Sequence, residues 1–311
     1  MTEVQWSGGV EHWTHKGDVK LFLWEKKRAP GTEHAGTILF VHGSSMASQP
    51  TFDLHVPGRP WSSAMGWFAA QGYDCWTMDN EGYGRSGKQR DINCDISNGA
   101  DDLAVGSEYI LRQCASVASG SGDTALLAYG ISSGALKAAL FAERHPERVA
   151  KIALDAFVWT GQGSPTLEQR KKKLPEFLAR SRRPIDRAFV HSIFQRDHPG
   201  TADQATVEAF ADAILTLDDS MPTGTYVDMC SKLPLLDPRK LQCPAIILRG
   251  EHDGIAALDD LIDYFKLLPN MNKQFSVMAG VSHASFQQKN YMMVYDILHA
   301  FFRMREPIYK G

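Results

Sequence analysis

The stretch TALLAYGISSG, residues 124–134, decides how the chain is read. Its first part is an apolar run of strand length. Directly after it Leu136, Ala139, Leu140 and Ala142 recur near the helical period. Between the two stands Gly130-Ile131-Ser132-Ser133-Gly134, a G-x-S-x-G pattern. Three fixed positions carry little weight alone; the strand–turn–helix context is what gives them meaning. A serine on so sharp a turn has strained backbone angles, and side chains at 130 and 134 would crowd it. The turn lifts Ser132 Oγ above the sheet edge, at a helix N-terminus whose dipole favours developing negative charge.

Outward from this turn the chain alternates. Apolar runs at 19–24, 37–42, 73–79, 124–131, 149–157, 244–250 and 273–279 are predicted strands, the first paired across Lys16-Gly17-Asp18 with a strand before it. Helical patterns fall at 61–71, 99–117, 133–145, 256–268 and 285–304. Such alternation predicts an α/β fold, a doubly wound and mostly parallel sheet with its chemistry at the carboxyl ends of the strands. Residues 160–240 break the rule. They hold no evident strand, and helical segments at 166–181, 184–195, 203–217 and 222–232 are punctuated by prolines. They predict a helical cap inserted after the sixth strand, on a core formed by 1–159 and 241–311. The cap is charge-segregated: residues 161–200 hold nine Lys/Arg and four Asp/Glu, while 201–220 hold five acids and no base. Solvated helix faces account for this in the simplest way; a basic rim attracting anionic substrates is the sharper reading.

Composition removes several classes. A chain of 311 residues, 43% hydrophobic, can bury a large core without disulfide or metal staples. A net charge of −3 gives no electrostatic case for nucleic acid or an anionic membrane. The most apolar runs are strand-length, far short of the roughly 20 residues a membrane helix needs. The N-terminal MTEVQWSGGVEHW lacks the apolar run of a signal peptide, so a cytoplasmic location is the expectation. Five cysteines (Cys75, Cys94, Cys114, Cys230, Cys243) form no C-x-x-C pair and read as free thiols.

A serine hydroxyl needs a base. His283 follows the run 273–279 and precedes the last helix, a better position than His42 or His252. The base needs an orienting carboxylate. Asp253, just past 244–250, is preferred, with Glu251 and Asp155 as competitors. The oxyanion hole calls for two backbone amides, Ser133 after the nucleophile and Ser44 after His42-Gly43, with Ser45 as second choice. Ser45 and Trp159 are candidate substrate-binding residues.

The order Ser132, Asp253, His283, with His42-Gly43 upstream, resembles the α/β-hydrolase superfamily. Asp79-Asn80-Glu81-Gly82-Tyr83-Gly84-Arg85-Ser86 is similar to that family's D-x-x-G-x-G-x-S loop. The resemblance spans about residues 19–306 and implies an eight-stranded sheet, a helical cap and a cleft between them. It implies a serine hydrolase acting on a small-molecule carboxylic ester or lactone, with no metal or organic cofactor. An aspartate at the elbow marks the haloalkane dehalogenases and epoxide hydrolases of this fold, so Ser132 argues against both. Amide cleavage, carbon–carbon cleavage, acyl transfer and a ligand receptor on the same scaffold stay open at this point, as does a homodimer through the cap or last helix. The loop from Ser44 to Pro60 is long for its position and is expected to help shape the cleft, together with aromatics among Trp159, Phe177, Phe189, Phe194 and Tyr226, most of which are expected to pack in the core.

Overall fold

A computed structural model describes residues 8–116 and 122–309. The N-terminal residues 1–7 and the expected helix end at 117 lie outside the described residues. Eight strands form one sheet: β1 (Val10–Lys16), β2 (Val19–Lys26), β3 (Gly36–Val41), β4 (Tyr73–Met78), β5 (Leu126–Ile131), β6 (Val149–Asp155), β9 (Ala245–Gly250) and β10 (Lys273–Met278). The short β7 (Arg182–Pro184) and β8 (Ser220–Pro222) pair apart from it. The order across the sheet is β1-β2-β4-β3-β5-β6-β9-β10. Only β1–β2 and β2–β4 are antiparallel.

Strands such as β3, β5 and β9 read as unbroken apolar runs because both faces are covered. Leu39, Val41, Leu126, Ala128, Ala245 and Ile247 turn to one layer. Ile38, Phe40, Leu127, Tyr129, Ile246 and Leu248 turn to the other. Among the described residues the α-helices run in chain order: α1 (Ser48–Phe52), α2 (Ala64–Ala70), α3 (Ile96–Ser116), α4 (Ser133–Arg144), α5 (Pro165–Lys171), α6 (Leu174–Leu178), α7 (Arg187–Gln195), α8 (Gln204–Leu217), α9 (Gly224–Ser231), α10 (Leu258–Leu267) and α11 (Tyr291–Arg303). The first layer is built from α3, α4 and α10, the second from α2 and α11. Strand ends β3, β5, β6 and β9 therefore open on one edge of a rigid slab, and the loops there are held by two packed cores.

Between β6 and β9 the chain runs through α5 to α9. Here the structure corrects the sequence reading, which expected helices alone: β7 and β8 form a two-stranded ribbon, Arg183 opposite Met221. Three-residue strands show no alternation, and their partners are distant in sequence, so no local pattern marks them. The single helix expected over 166–181 is two, α5 and α6, since Pro175 can sit in a first turn but not in a helix interior. The Ser44–Pro60 loop contains α1. Its Met46, Leu54 and Val56 join Tyr83, Ile193 of α7 and Phe210 and Ile214 of α8 in a third apolar cluster.

Candidate active site

The β5–α4 turn is as tight as its glycines imply. Ser132 has φ 58° and ψ −128°, a backbone conformation few L-residues adopt. A Cβ at Gly134 would lie 2.2 Å from Val41 O, and one at Gly130 would lie 2.5 Å from Gly134 O. Backbone meets backbone at both positions, so nothing larger fits.

Three side chains from three strand ends converge. His283 Nε2 lies 3.1 Å from Ser132 Oγ. On the other side of the ring, His283 Nδ1 lies 3.0 Å from Asp253 Oδ2 and 3.2 Å from Oδ1. All three residues are buried. Asp253 Oδ1 also accepts the amides of Ile255 (2.8 Å) and Ala256 (3.2 Å). Burial pushes the Asp253 carboxyl up, but the facing His283 and these hydrogen bonds outweigh it and hold it below the ordinary carboxylate range. With the acid oriented by backbone and the ring oriented by the acid, Nε2 is left to accept a proton from the serine.

The competing acids sit elsewhere. Asp155 is fully buried behind the turn: its backbone carbonyl accepts the Ser132 amide (2.8 Å), and its Oδ2 accepts the Tyr129 hydroxyl (2.6 Å). Glu251 is exposed and accepts the Gly280 amide (2.8 Å). His42 is wholly buried. Its Nε2 accepts the Asn80 amide (3.0 Å) and its Nδ1 donates to Gly43 O (2.8 Å), which assigns a neutral ring. Burial and the nearby Lys137 charge hold that ring well below the usual histidine range. His42 therefore shapes the loop rather than moving a proton.

That loop brings Ser44 beside the elbow, where Ser44 Oγ donates to Ser133 Oγ at 2.6 Å. Among the described residues neither the Ser44 nor the Ser133 amide donates a hydrogen bond within the protein. As first residue of α4, Ser133 carries one of the helix's orphan donors. Behind the loop the D-x-x-G-x-G-x-S segment acts as a brace: Asp79 accepts the amides of Ser48 (2.7 Å) and Arg85 (2.9 Å).

Ser45 faces the cap, its hydroxyl 2.9 Å from the Tyr226 hydroxyl and 3.0 Å from Arg183 Nη2. Ser44, Ser45, Ser132, His283, Arg170 and Tyr226 line a narrow space at the nucleophile. The structure does not bring Trp159 there. Its indole donates to Leu236 O (3.2 Å) and packs against Tyr264, at the point where the chain leaves β6. Phe194 likewise packs inside the cap against Phe210, whereas Phe177, Phe189 and Tyr226 line a larger cavity above. Sequence reasoning missed Arg170, Arg183 and Arg196 as individual residues near the site. The basic run 161–200 was the only trace of them.

No group of three or more His, Cys, Asp or Glu among the described residues is placed to hold a metal ion, and no described helix is long and apolar enough to cross a membrane.

Comparison with known proteins agrees with this architecture. The family model described as serine aminopeptidase, S33, matches residues 32–290. No curated protein matches the chain in sequence. Among solved structures, a soluble variant of monoglyceride lipase from Saccharomyces cerevisiae superposes with a TM-score of 0.71 at 19% identity, covering 96% of each chain. A thermophilic esterase from Thermogutta terrifontis gives 0.67 at 17% identity, covering 96% of this chain and 98% of its own. A carboxylesterase from Nitrososphaera gargenis gives 0.66 at 14% identity, covering 93% and 97%.

Proposed function

We propose, for a chain that belongs to the serine aminopeptidase, S33, family of the α/β-hydrolase superfamily, a serine hydrolase that cleaves a small-molecule carboxylic ester or lactone. The observation that carries this reading is the unbroken relay from Asp253 through His283 to Ser132 Oγ on a strained elbow. Ser132 Oγ attacks the carbonyl carbon as His283 Nε2 takes its proton. Asp253 holds the ring in the tautomer that can accept it and stabilises the resulting cation. The Ser44 and Ser133 amides stabilise the tetrahedral oxyanion. The alcohol leaves with the proton from His283, and a water activated by the same ring then cleaves the acyl-enzyme. Residues 160–240 act as a cap over this edge of the core formed by 1–159 and 241–311.

The family's description favours a second reading, cleavage of an N-terminal peptide bond. Such a substrate brings an ammonium group, which needs carboxylates to receive it. The cavity above Ser132 offers one carboxylate, Glu176, against five cations, so the ester reading is preferred. Pre-steady-state release of nitrophenol from a short nitrophenyl ester tests the mechanism. The wild type is expected to give a burst near one equivalent and to take a fluorophosphonate label. Ser132→Ala is expected to lose both, with turnover down by about 10⁴-fold or more. Full turnover in Ser132→Ala overturns the reading.

A further inference from the structure

The cap cavity, about 570 Å³, shares Arg170, Arg196 and Tyr226 with the space at Ser132 and His283, so the two adjoin. Its walls carry Arg170, Lys173, Arg180, Arg183 and Arg196, with Glu176 as the single acid. Among the described residues, only Arg196 of these five lies within ion-pair distance of a carboxylate, that of Asp197. Elsewhere in the same basic run the chain behaves as an ordinary solvated helix face. Lys171 reaches back to Glu168 at 2.7 Å and Lys172 to Gln169 at 3.0 Å, both outside the cavity lining.

The arginines that turn inward are held there. The Arg170 guanidinium lies 4.7 Å from the centre of the Tyr226 ring. Arg183 lies 4.5 Å from that ring and 4.3 Å from Phe189, and its Nη2 donates to Tyr226 (3.1 Å) and Ser45 (3.0 Å). Two N–H groups of this cluster, on Arg183 Nε and Arg196 Nη2, are buried and find no hydrogen-bond partner among the described residues. Buried donors without acceptors are costly and clustered like charges repel, and an anion seated here would relieve both.

We propose that the substrate carries an oxyanionic group, a carboxylate or a phosphate, which seats on Arg170, Arg183 and Arg196 while the scissile carbonyl lies at Ser132. This rests on the hydrolase reading above and names the substrate class within it. The field of the cluster is felt by its neighbour. Burial alone would raise the Tyr226 hydroxyl, but Arg170 and Arg183 pull it down to about 7. The whole chain is net negative, so its overall charge does not draw anions; the cavity does.

The test compares nitrophenyl esters of glutarate, with a free terminal carboxylate, and of methyl glutarate, neutral and of similar length. In the wild type the kcat/KM ratio is expected to favour the acid by about 10–100-fold, mostly through KM, and to fall as salt rises. Arg170→Gln combined with Arg183→Gln is expected to collapse the ratio toward one. Arg144→Gln, a charge loss at an exposed arginine paired with Asp101, should leave it unchanged. Glutarate and inorganic phosphate, as competitors of the neutral ester, identify the oxyanion. A ratio near one in the wild type, insensitive to salt, with no competition by either anion, overturns the proposal and leaves the hydrolase reading intact. If no ester is turned over and Ser132 takes no label, the hydrolase reading fails. Thermal stabilisation by glutarate or phosphate, lost in the double variant, then decides the anion site by itself.

Discussion

Asp155 and Asp253 end neighbouring strands, β6 and β9, and both are fully buried, yet their environments push them in opposite directions. Asp253 faces His283 and two amides and is held low. Asp155 accepts the Tyr129 hydroxyl at 2.6 Å, and the Ser285 hydroxyl also faces it; both lower its carboxyl. Burial dominates there and raises its carboxyl to about 7. A carboxyl raised above its ordinary value of about 3.9 favours the folded state while protonated. That contribution is full below about pH 4 and is lost as pH rises through about 7. Asp155→Asn, which cannot ionise, should remove it. Relative to the variant, the wild type is expected to lose about 2–3 kcal/mol between pH 5 and pH 8, read by urea denaturation. Parallel curves across that range would show that Asp155 is ionised throughout. The same pair shows what a sequence can disclose. Both acids follow an apolar run, so strand periodicity nominated both. Only the reach of each carboxyl to His283 separates them, and that depends on how the β9 and β10 loops pack: the His252 amide donates to Val281 O at 3.0 Å.

At the scale of elements, the β5–α4 elbow and the cap differ in how local their causes are. The elbow is written in five consecutive residues, and its neighbours are fixed by the sheet. Gly134→Ala would drive a Cβ against Val41 O and His42 O, both backbone atoms at the end of β3. Neither can swing aside as a side chain could, so β3 or α4 must move. The variant is expected to lose about 3 kcal/mol or more of stability, seen as a lower urea midpoint, together with fluorophosphonate labelling of Ser132. An unchanged midpoint would mean that α4 does not pack this closely on β3. The cap has no such local signature. Its ribbon joins Arg183 to Met221, and its exit from the core is fixed by one carboxylate, Asp260, which accepts the amides of Trp159, Thr160 and Gly161. Asp260 lies about 100 residues further on, in α10. Helical period and prolines disclosed that residues 160–240 are mostly helical and missed the β7–β8 ribbon; which arginines turn inward depends on rings such as Tyr226 and Phe189, which the fold alone brings near.

Across the whole molecule, Arg59 is where the long loop, α8 and the segment after His283 meet. Its Nη1 donates to Thr206 Oγ1 in α8 (2.7 Å) and to Gln287 O (3.2 Å). Its Nη2 donates to Phe286 O (3.1 Å) and Gln288 O (2.6 Å). The guanidinium stacks 4.0 Å over the ring of Tyr291. Three of these acceptors lie three to five residues beyond His283, so one side chain ties the position of His283 to that of α8. The planar fork is the feature used, since an ammonium cannot serve four acceptors in this layout. Arg59→Met keeps much of the apolar stem but takes the side-chain donors from the Phe286 and Gln287 carbonyls and leaves Gln288 O only the Tyr291 amide (3.3 Å). Loss of about 2–4 kcal/mol is expected in urea denaturation, and kcat should fall more than KM rises, because the His283–Ser132 approach loosens. Arg59→Lys should recover stability only in part. Were Arg59→Met to raise KM alone at unchanged kcat, the clamp would serve the cap's hold on substrate and not the placement of His283. That outcome would separate the two halves of a contact that the fold makes through a single residue.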